Sequence, residues 1–149
     1  MRKNGTTTYE NKGLYATELF TQESEKVIRK HNYKNSPLFL VVNHLAPHTA
    51  NEDNPMQAPI EEVKKFNHIK NEKRRTYAAM VSLLDKSVGR IVQAISAANQ
   101  LDNTIILFYS DNGAPTVGQH SNSGSNYPLR GVNYFLSFFI LLKNLLTFI

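Results

Sequence analysis

Thr104-Ile-Ile-Leu-Phe-Tyr-Ser-Asp-Asn-Gly-Ala-Pro115 joins a short apolar run to two adjacent oxygen-bearing side chains and a glycine. Ile105 to Tyr109 are β-branched or large and apolar without polar alternation. That pattern predicts a strand buried on both faces of a parallel sheet. Asp111 and Asn112 then fall just past the strand's carboxyl end, where open α/β sheets place their ligands. A carboxylate beside an amide oxygen suits a hard cation such as Ca²⁺ or Mg²⁺, and Gly113 lets the backbone turn both side chains toward one point. Asp-Asn-Gly is also ordinary turn sequence. The rest of the chain decides between the two readings.

Upstream, a helix is predicted from about Lys73 to Asn99. Tyr77, Met80, Val81, Leu84, Val88, Ile91, Val92 and Ile95 recur at steps of three and four, which makes one apolar face. This stripe reads as core packing, and Gly89 within it reads as a close approach to a neighbour. Leu38 to Val42 is a second buried-strand candidate, with Asn43-His-Leu-Ala-Pro-His48 at its exit. Asn51 to Pro59 is a loop, and Pro59 suits the first turn of a short helix from Ile60 to Phe66. Nearer the start, Thr17 or Thr21 would cap a helix reaching about His31, with Leu19, Phe20, Val27 and Ile28 inward. Residues 1 to 16 read as irregular, with a glycosylation sequon at Asn4-Gly-Thr6. The order of helix, strand, loop, long helix and strand predicts an α/β fold with a right-handed crossover.

The chain has 149 residues, enough for one modest domain or a piece of a larger one. Its formal charge of +5 comes from scattered basic residues, and no nucleic-acid motif accompanies them. There is no cysteine, which excludes disulfides, thiolate metal sites and any nucleophile made from cysteine. Met1 to Gly13 is polar and lacks the apolar segment of a signal peptide. Tyr134 to Ile149 is strongly apolar but contains Lys143, and it is shorter than the roughly 20 residues a spanning helix needs. No clear membrane span is therefore expected.

Six blocks carry a resemblance. They are Leu38-Phe-Leu-Val-Val-Asn-His-Leu-Ala-Pro-His48, Pro55-Met-Gln-Ala-Pro59, Tyr77-Ala-Ala-Met-Val-Ser-Leu-Leu-Asp85, Ser87-Val-Gly89, Ser110-Asp-Asn-Gly-Ala-Pro-Thr-Val-Gly118 and Ser123-Gly-Ser-Asn-Tyr-Pro-Leu-Arg-Gly131. In this order they resemble the sulfatases, specifically their arylsulfatase B branch, from about residue 8 to Val132. The resemblance implies an alkaline-phosphatase-like α/β fold, here incomplete, with a mixed or parallel sheet flanked by helices. It also implies hydrolysis of a sulfate ester. In the family a formylglycine, made from the cysteine of Cys-x-Pro-x-Arg, attacks sulfur, and a divalent cation, usually calcium, holds the sulfate oxygens. Asp111 and Asn112 match two of the cation's ligands. His48 matches a histidine that contacts the sulfate and assists the leaving oxygen as a general acid. His44 has no counterpart and reads as structural.

Departures from the pattern shape the functional expectation. The formylglycine cysteine is absent, the paired aspartates of the family's first strand have no match, and Asn133 stands where a lysine is expected. A Trp-Glu-Gly-Gly block is replaced by the apolar tail. Residues 1–133 are thus expected to be part of a sulfatase catalytic domain, and 134–149 to be foreign to it. The expected function is a fragment of a sulfuric ester hydrolase, inactive alone and retaining part of a Ca²⁺ site. Its full-length parent would act on a sulfated glycan or aryl sulfate. The alternatives are a non-catalytic binding or decoy module, or a phosphodiesterase or phosphatase of the same superfamily. By resemblance the compartment is the lysosome or the secreted space.

Overall fold

The fold is that of a computed structural model, which describes residues 2–50, 53–116, 121–128 and 141–143. It begins with a hairpin, β1 (Arg2–Lys3) paired antiparallel with β2 (Thr6–Thr7). Asn4 and Gly5 join them at φ 51° and 79°. Two successive positive φ angles are what a two-residue hairpin turn requires, and Asn-Gly supplies them at little cost. This stretch is therefore more regular than its sequence suggests.

Helix α1 (Ala16–Lys30) follows. Thr17 and Thr21 are not its caps: Tyr15 holds the cap position without a side-chain bond, and both threonines are buried within the helix. The Thr21 and Ser24 hydroxyls donate to the carbonyls of Thr17 and Phe20, four residues back, which lets small polar side chains face the interior. Leu19 and Ile28 point inward as expected, whereas Val27 is exposed.

Helix α2 (Ile60–Lys64) is a single short piece, with Pro59 at its cap. Helix α3 (Glu72–Ala97) is the long helix of the sequence pattern. Asn71 caps it by accepting from the Arg74 amide at 3.0 Å, a contact worth about 1 kcal/mol. Its far end closes with Asn99 at φ 56° and the Gln100 amide on the Ile95 carbonyl. That is a left-handed cap with its six-to-one bond.

Helices α1 and α3 pack against each other as the centre of the molecule. Arg90 of α3 spans the pair, with Nη1 2.7 and 2.8 Å from the two Glu18 oxygens and Nε and Nη2 2.9 and 2.8 Å from those of Glu25. These contacts hold both carboxyls below the usual range. Helix α2 is tied to α3 by Glu62, which is buried and accepts from Ser82, Lys65 and Lys86. Burial alone would raise the Glu62 pKa, but the three donors override it and bring it down to about 2. A side chain added at Gly89 would meet nothing within 4 Å of its Cβ. Among the described residues Gly89 marks no close approach.

The strands depart most from expectation. Strand β3 (Ile106–Phe108) pairs antiparallel with β4 (Leu141–Lys143), with Leu107 opposite Leu142. Strand β4 thus lies inside the apolar tail; Asn133 and the rest of 134–149 fall outside the described residues. Leu38 to Val42 joins no ladder among the described residues. Neither run is covered on both faces: Phe39 is 91% exposed and Ile105 69%. The cause is physical. A doubly buried strand needs ladder partners and two covering layers, and the described chain gives these runs at most one neighbour each.

Candidate active site

Strand β3 delivers the Asp111–Asn112 turn at its exit. Ser110 donates to the Asn112 carbonyl at 2.7 Å, and Asn112 Nδ2 donates to the Gly113 carbonyl at 2.8 Å. With its nitrogen engaged, the Asn112 amide leaves Oδ1 as its available ligand atom. Asp111 is exposed, and no described group bonds its carboxylate. Asp111 and Asn112 thus carry hard oxygen atoms, of the kind calcium takes, at adjacent positions of the chain. They are too few to close a cation shell, and the described residues contain no group of three or more His, Asp or Glu that could hold a metal.

His48 stands on another loop. Its backbone amide reaches the Leu45 carbonyl at 2.8 Å, and the ring Nδ1 lies 2.6 Å from the Thr49 carbonyl. A carbonyl oxygen only accepts, so Nδ1 carries a proton. Nε2 is then the ring nitrogen with no partner among the described residues. Ala46 and Thr49 on either side are buried and seat the loop, leaving the His48 ring toward solvent. No described hydrogen bond or ion pair joins His48 to Asp111 or Asn112. The two ligand candidates are neighbours; the histidine is on a separate loop.

His44 has the structural place the sequence suggests, with a definite arrangement. Its Nε2 is 3.2 Å from Ser87 Oγ, which is 2.6 Å from Thr21 Oγ1, which is 2.6 Å from the Thr17 carbonyl. The carbonyl must accept, so Thr21 donates to it and Ser87 donates to Thr21. Ser87 then accepts from His44, which fixes the proton on Nε2. Nδ1 is left as a buried acceptor with no partner among the described residues. Burial pushes the His44 pKa down. The chain of hydroxyls ties the segment that leads to His48 to both α1 and α3.

A second loop, 121–126, supports the Asp111–Asn112 turn. Asn126 Oδ1 accepts from the Ala114 amide at 2.7 Å, and Asn126 Nδ2 donates to the Ala114 carbonyl at 2.9 Å. The Asn122 amide reaches the Pro115 carbonyl at 3.1 Å, and Arg74 of α3 donates to the Ser123 carbonyl at 2.8 Å. A Cβ on Gly124 would come within 2.9 Å of the Ala114 Cβ and the Tyr77 hydroxyl. The sequence resemblance assigns no role to Asn122 or Asn126. Their carboxamides were the available signal, but only the tertiary pairing shows what they hold.

The sulfatase family model matches residues 1–137, and the chain belongs to that family. It is 38% identical over 123 residues to arylsulfatase J of Mus musculus, covering 83% of this chain and 19% of that protein. It is 31% identical over 112 residues to the N-acetylgalactosamine-6-sulfatase of Mus musculus, covering 75% and 19%. The crystal structure of Ps i-CgsB superposes with a TM-score of 0.73 at 38% identity, over 86% of this chain and 26% of that one. A second structure, Ps i-CgsB in complex with k-i-k-neocarrahexaose, matches equally well. The chain thus spans about a fifth of the curated relatives' length and carries a part of the alkaline-phosphatase-like fold, consistent with the few strands among the described residues.

Proposed function

We propose that this chain is a slice of a sulfuric ester hydrolase of the arylsulfatase B-like branch, and that by itself it does not turn over. The observation that carries the reading is the Asp111–Asn112 turn at the exit of β3, within a chain that matches sulfatases over most of its length. In the longer domain Asp111 and Asn112 would supply two oxygens to a calcium ion. When bound, that ion offsets negative charge on the sulfate oxygens. His48 would hold its ring by Nδ1–H on the Thr49 carbonyl and present Nε2–H to the departing ester oxygen. His44, through Ser87 and Thr21, would keep that loop against the helices.

The residues present fit calcium in kind but not in number, since calcium takes roughly six to eight oxygens. The 149 residues also contain no cysteine from which a formylglycine could be made. The domain boundary expected at residue 133 lies just inside the matched family region, which runs to residue 137, and residues beyond that match are read as added sequence. The family suggests a lysosomal or secreted parent; no described helix is long and apolar enough to cross a membrane. The substrate class is a sulfate ester, on a sulfated glycan or an aryl alcohol. One structural relative is complexed with a carrahexaose, which favours the glycan.

The test has two arms. Pure 149-residue chain should give no turnover of a chromogenic aryl sulfate, and turnover would contradict the incomplete-site reading. A chimera placing residues 38–132 in the matching segment of arylsulfatase J should hydrolyse the same ester. In it His48→Ala should lower kcat by roughly 10²–10⁴-fold, the range for losing a general acid. A folded chimera indifferent to His48→Ala would overturn the role given to that residue.

A further inference from the structure

The Asp111–Asn112 turn has few bonds of its own, yet ligand atoms must be held in place to be useful. The strongest contacts on its C-terminal side come from one residue twelve positions beyond Ala114. The Asn126 carboxamide takes both the N–H and the C=O of Ala114, at 2.7 and 2.9 Å. This two-point pairing copies what a neighbouring strand would offer a peptide group. Asparagine suits it because one short planar group supplies an acceptor and a donor side by side. Serine or threonine has a single hydroxyl, and an ionised aspartate has no donor.

The clamp is itself anchored. Arg74 fixes the Ser123 carbonyl at 2.8 Å. Asn122, 4% exposed, accepts from the Gly124 amide at 2.9 Å and donates its own amide to Pro115. Gly124 lies so close to Ala114 and Tyr77 that a side chain there would force them apart. A continuous set of contacts therefore runs from the start of α3, through the 121–126 loop, to the residue just after the turn.

We propose that Asn126 is a positioning residue for the Asp111–Asn112 turn, holding Ala114 so that the two ligand oxygens keep one orientation. The proposal rests on the sulfatase reading of that turn. It adds a residue to it and assigns α3, through Arg74 and Tyr77, the task of anchoring the clamp.

The experiment is amide exchange and backbone order by NMR on the labelled 149-residue chain, with calcium then titrated in. Asn126→Ala should speed Ala114 exchange about tenfold or more, because the Ala114 amide loses its acceptor. It should also lower backbone order at Asp111 to Gly113 while the α1 and α3 amides stay protected. At neutral pH Asn126→Asp keeps an acceptor for the Ala114 amide but sets a carboxylate oxygen against the Ala114 carbonyl. Order at Asp111 to Gly113 should therefore fall, while Ala114 exchange speeds less than in Asn126→Ala. Below a pH of about 4, where an aspartate takes up its proton, Asn126→Asp should regain order at Asp111 to Gly113, because the acid form again has a donor for the Ala114 carbonyl. Passive packing would give no such pH profile. Should Asn126→Ala unfold the chain, Arg74→Ala removes the anchor at the Ser123 carbonyl. It should speed Ala114 exchange and lower order at Asp111 to Gly113 by a smaller amount; no change in either would overturn the proposal.

Unchanged Ala114 exchange in Asn126→Ala, or unaltered order at Asp111 to Gly113 in Asn126→Asp at neutral pH, would overturn the proposal. So would an equal calcium affinity in Asn126→Ala and the unaltered chain, where calcium does shift the turn's amides in the unaltered chain. If calcium shifts none of the turn's amides while the clamp variants behave as described, the positioning of the turn is upheld and its cation role falls.

Discussion

The helical part and the strand part of this chain behave differently, although both were plain in the sequence. Helices α1 and α3 satisfy their own backbone groups and meet through Arg90, Glu18 and Glu25 and through the buried Thr21–Ser87 pair. The runs Leu38–Val42 and Ile105–Tyr109 are just as apolar, yet Phe39, Ile105, Leu107 and Tyr109 are more than half exposed. A helix closes its hydrogen bonds within the segment; a strand depends on neighbours. A slice through an α/β domain therefore keeps its helices and opens its sheet.

The first way to break this contrast is at Arg90. Arg90→Ala leaves Glu18 and Glu25 without their shared partner across the helix pair, and it should cost about 2 kcal/mol, discounted because the arginine is partly exposed. The midpoint of helix loss by circular dichroism checks it; an unchanged midpoint would mean that the helices are held by their other contacts, apolar packing and the Thr21–Ser87 pair.

Glu62→Gln should cost somewhat less, about 1–2 kcal/mol, by removing charge from the bonds that tie α2 to α3. The same residue predicts a pH dependence. Its folded pKa of about 2 lies below the ordinary 4.5, so its contribution is whole above pH 4.5 and is lost as pH falls toward 2. His44 acts at milder pH. Burial depresses its pKa below 6.5, so the neutral form is favoured on folding. That contribution is present above 6.5 and is lost as pH falls through the depressed value. Stability measured against pH should therefore fall in two stages, and Ser87→Ala should alter only the milder one.

Gly89→Ala should raise stability by up to about 1 kcal/mol, since the position is helical, exposed and open around its Cβ. On the strand side, Phe39→Lys should change stability by less than about 0.5 kcal/mol while raising soluble yield, because it breaks an exposed apolar run. A large loss of stability there would show that the open strand is buried in solution.

Legibility in the sequence followed the same division. The long helix was readable because its periodicity and both its ends are local: Asn71 opens it and Asn99 closes it. The Asp111–Asn112 turn was readable because two ligand-type residues follow an apolar run directly. Thr17 and Thr21 misled, since a threonine near a helix start looks like a cap whether it faces outward or into a partner helix. The His44–Ser87–Thr21 chain and the Asn126–Ala114 clamp were not legible. Each joins residues far apart in sequence whose types are ordinary in loops and helices. The burial expected of Ile105–Tyr109 failed for a further reason: the run states what it needs, and the described chain does not provide it.

The central claim, that a sulfatase site is carried here in part, is tested most directly by sequencing the source transcript across codons 1 and 133. The account predicts an open reading frame that continues upstream to a Cys-x-Pro-x-Arg motif and downstream from residue 133 into a lysine and a Trp-Glu-Gly-Gly block. A mature transcript that starts at Met1 and stops after Ile149 would contradict it, and the function would then have to lie in binding alone.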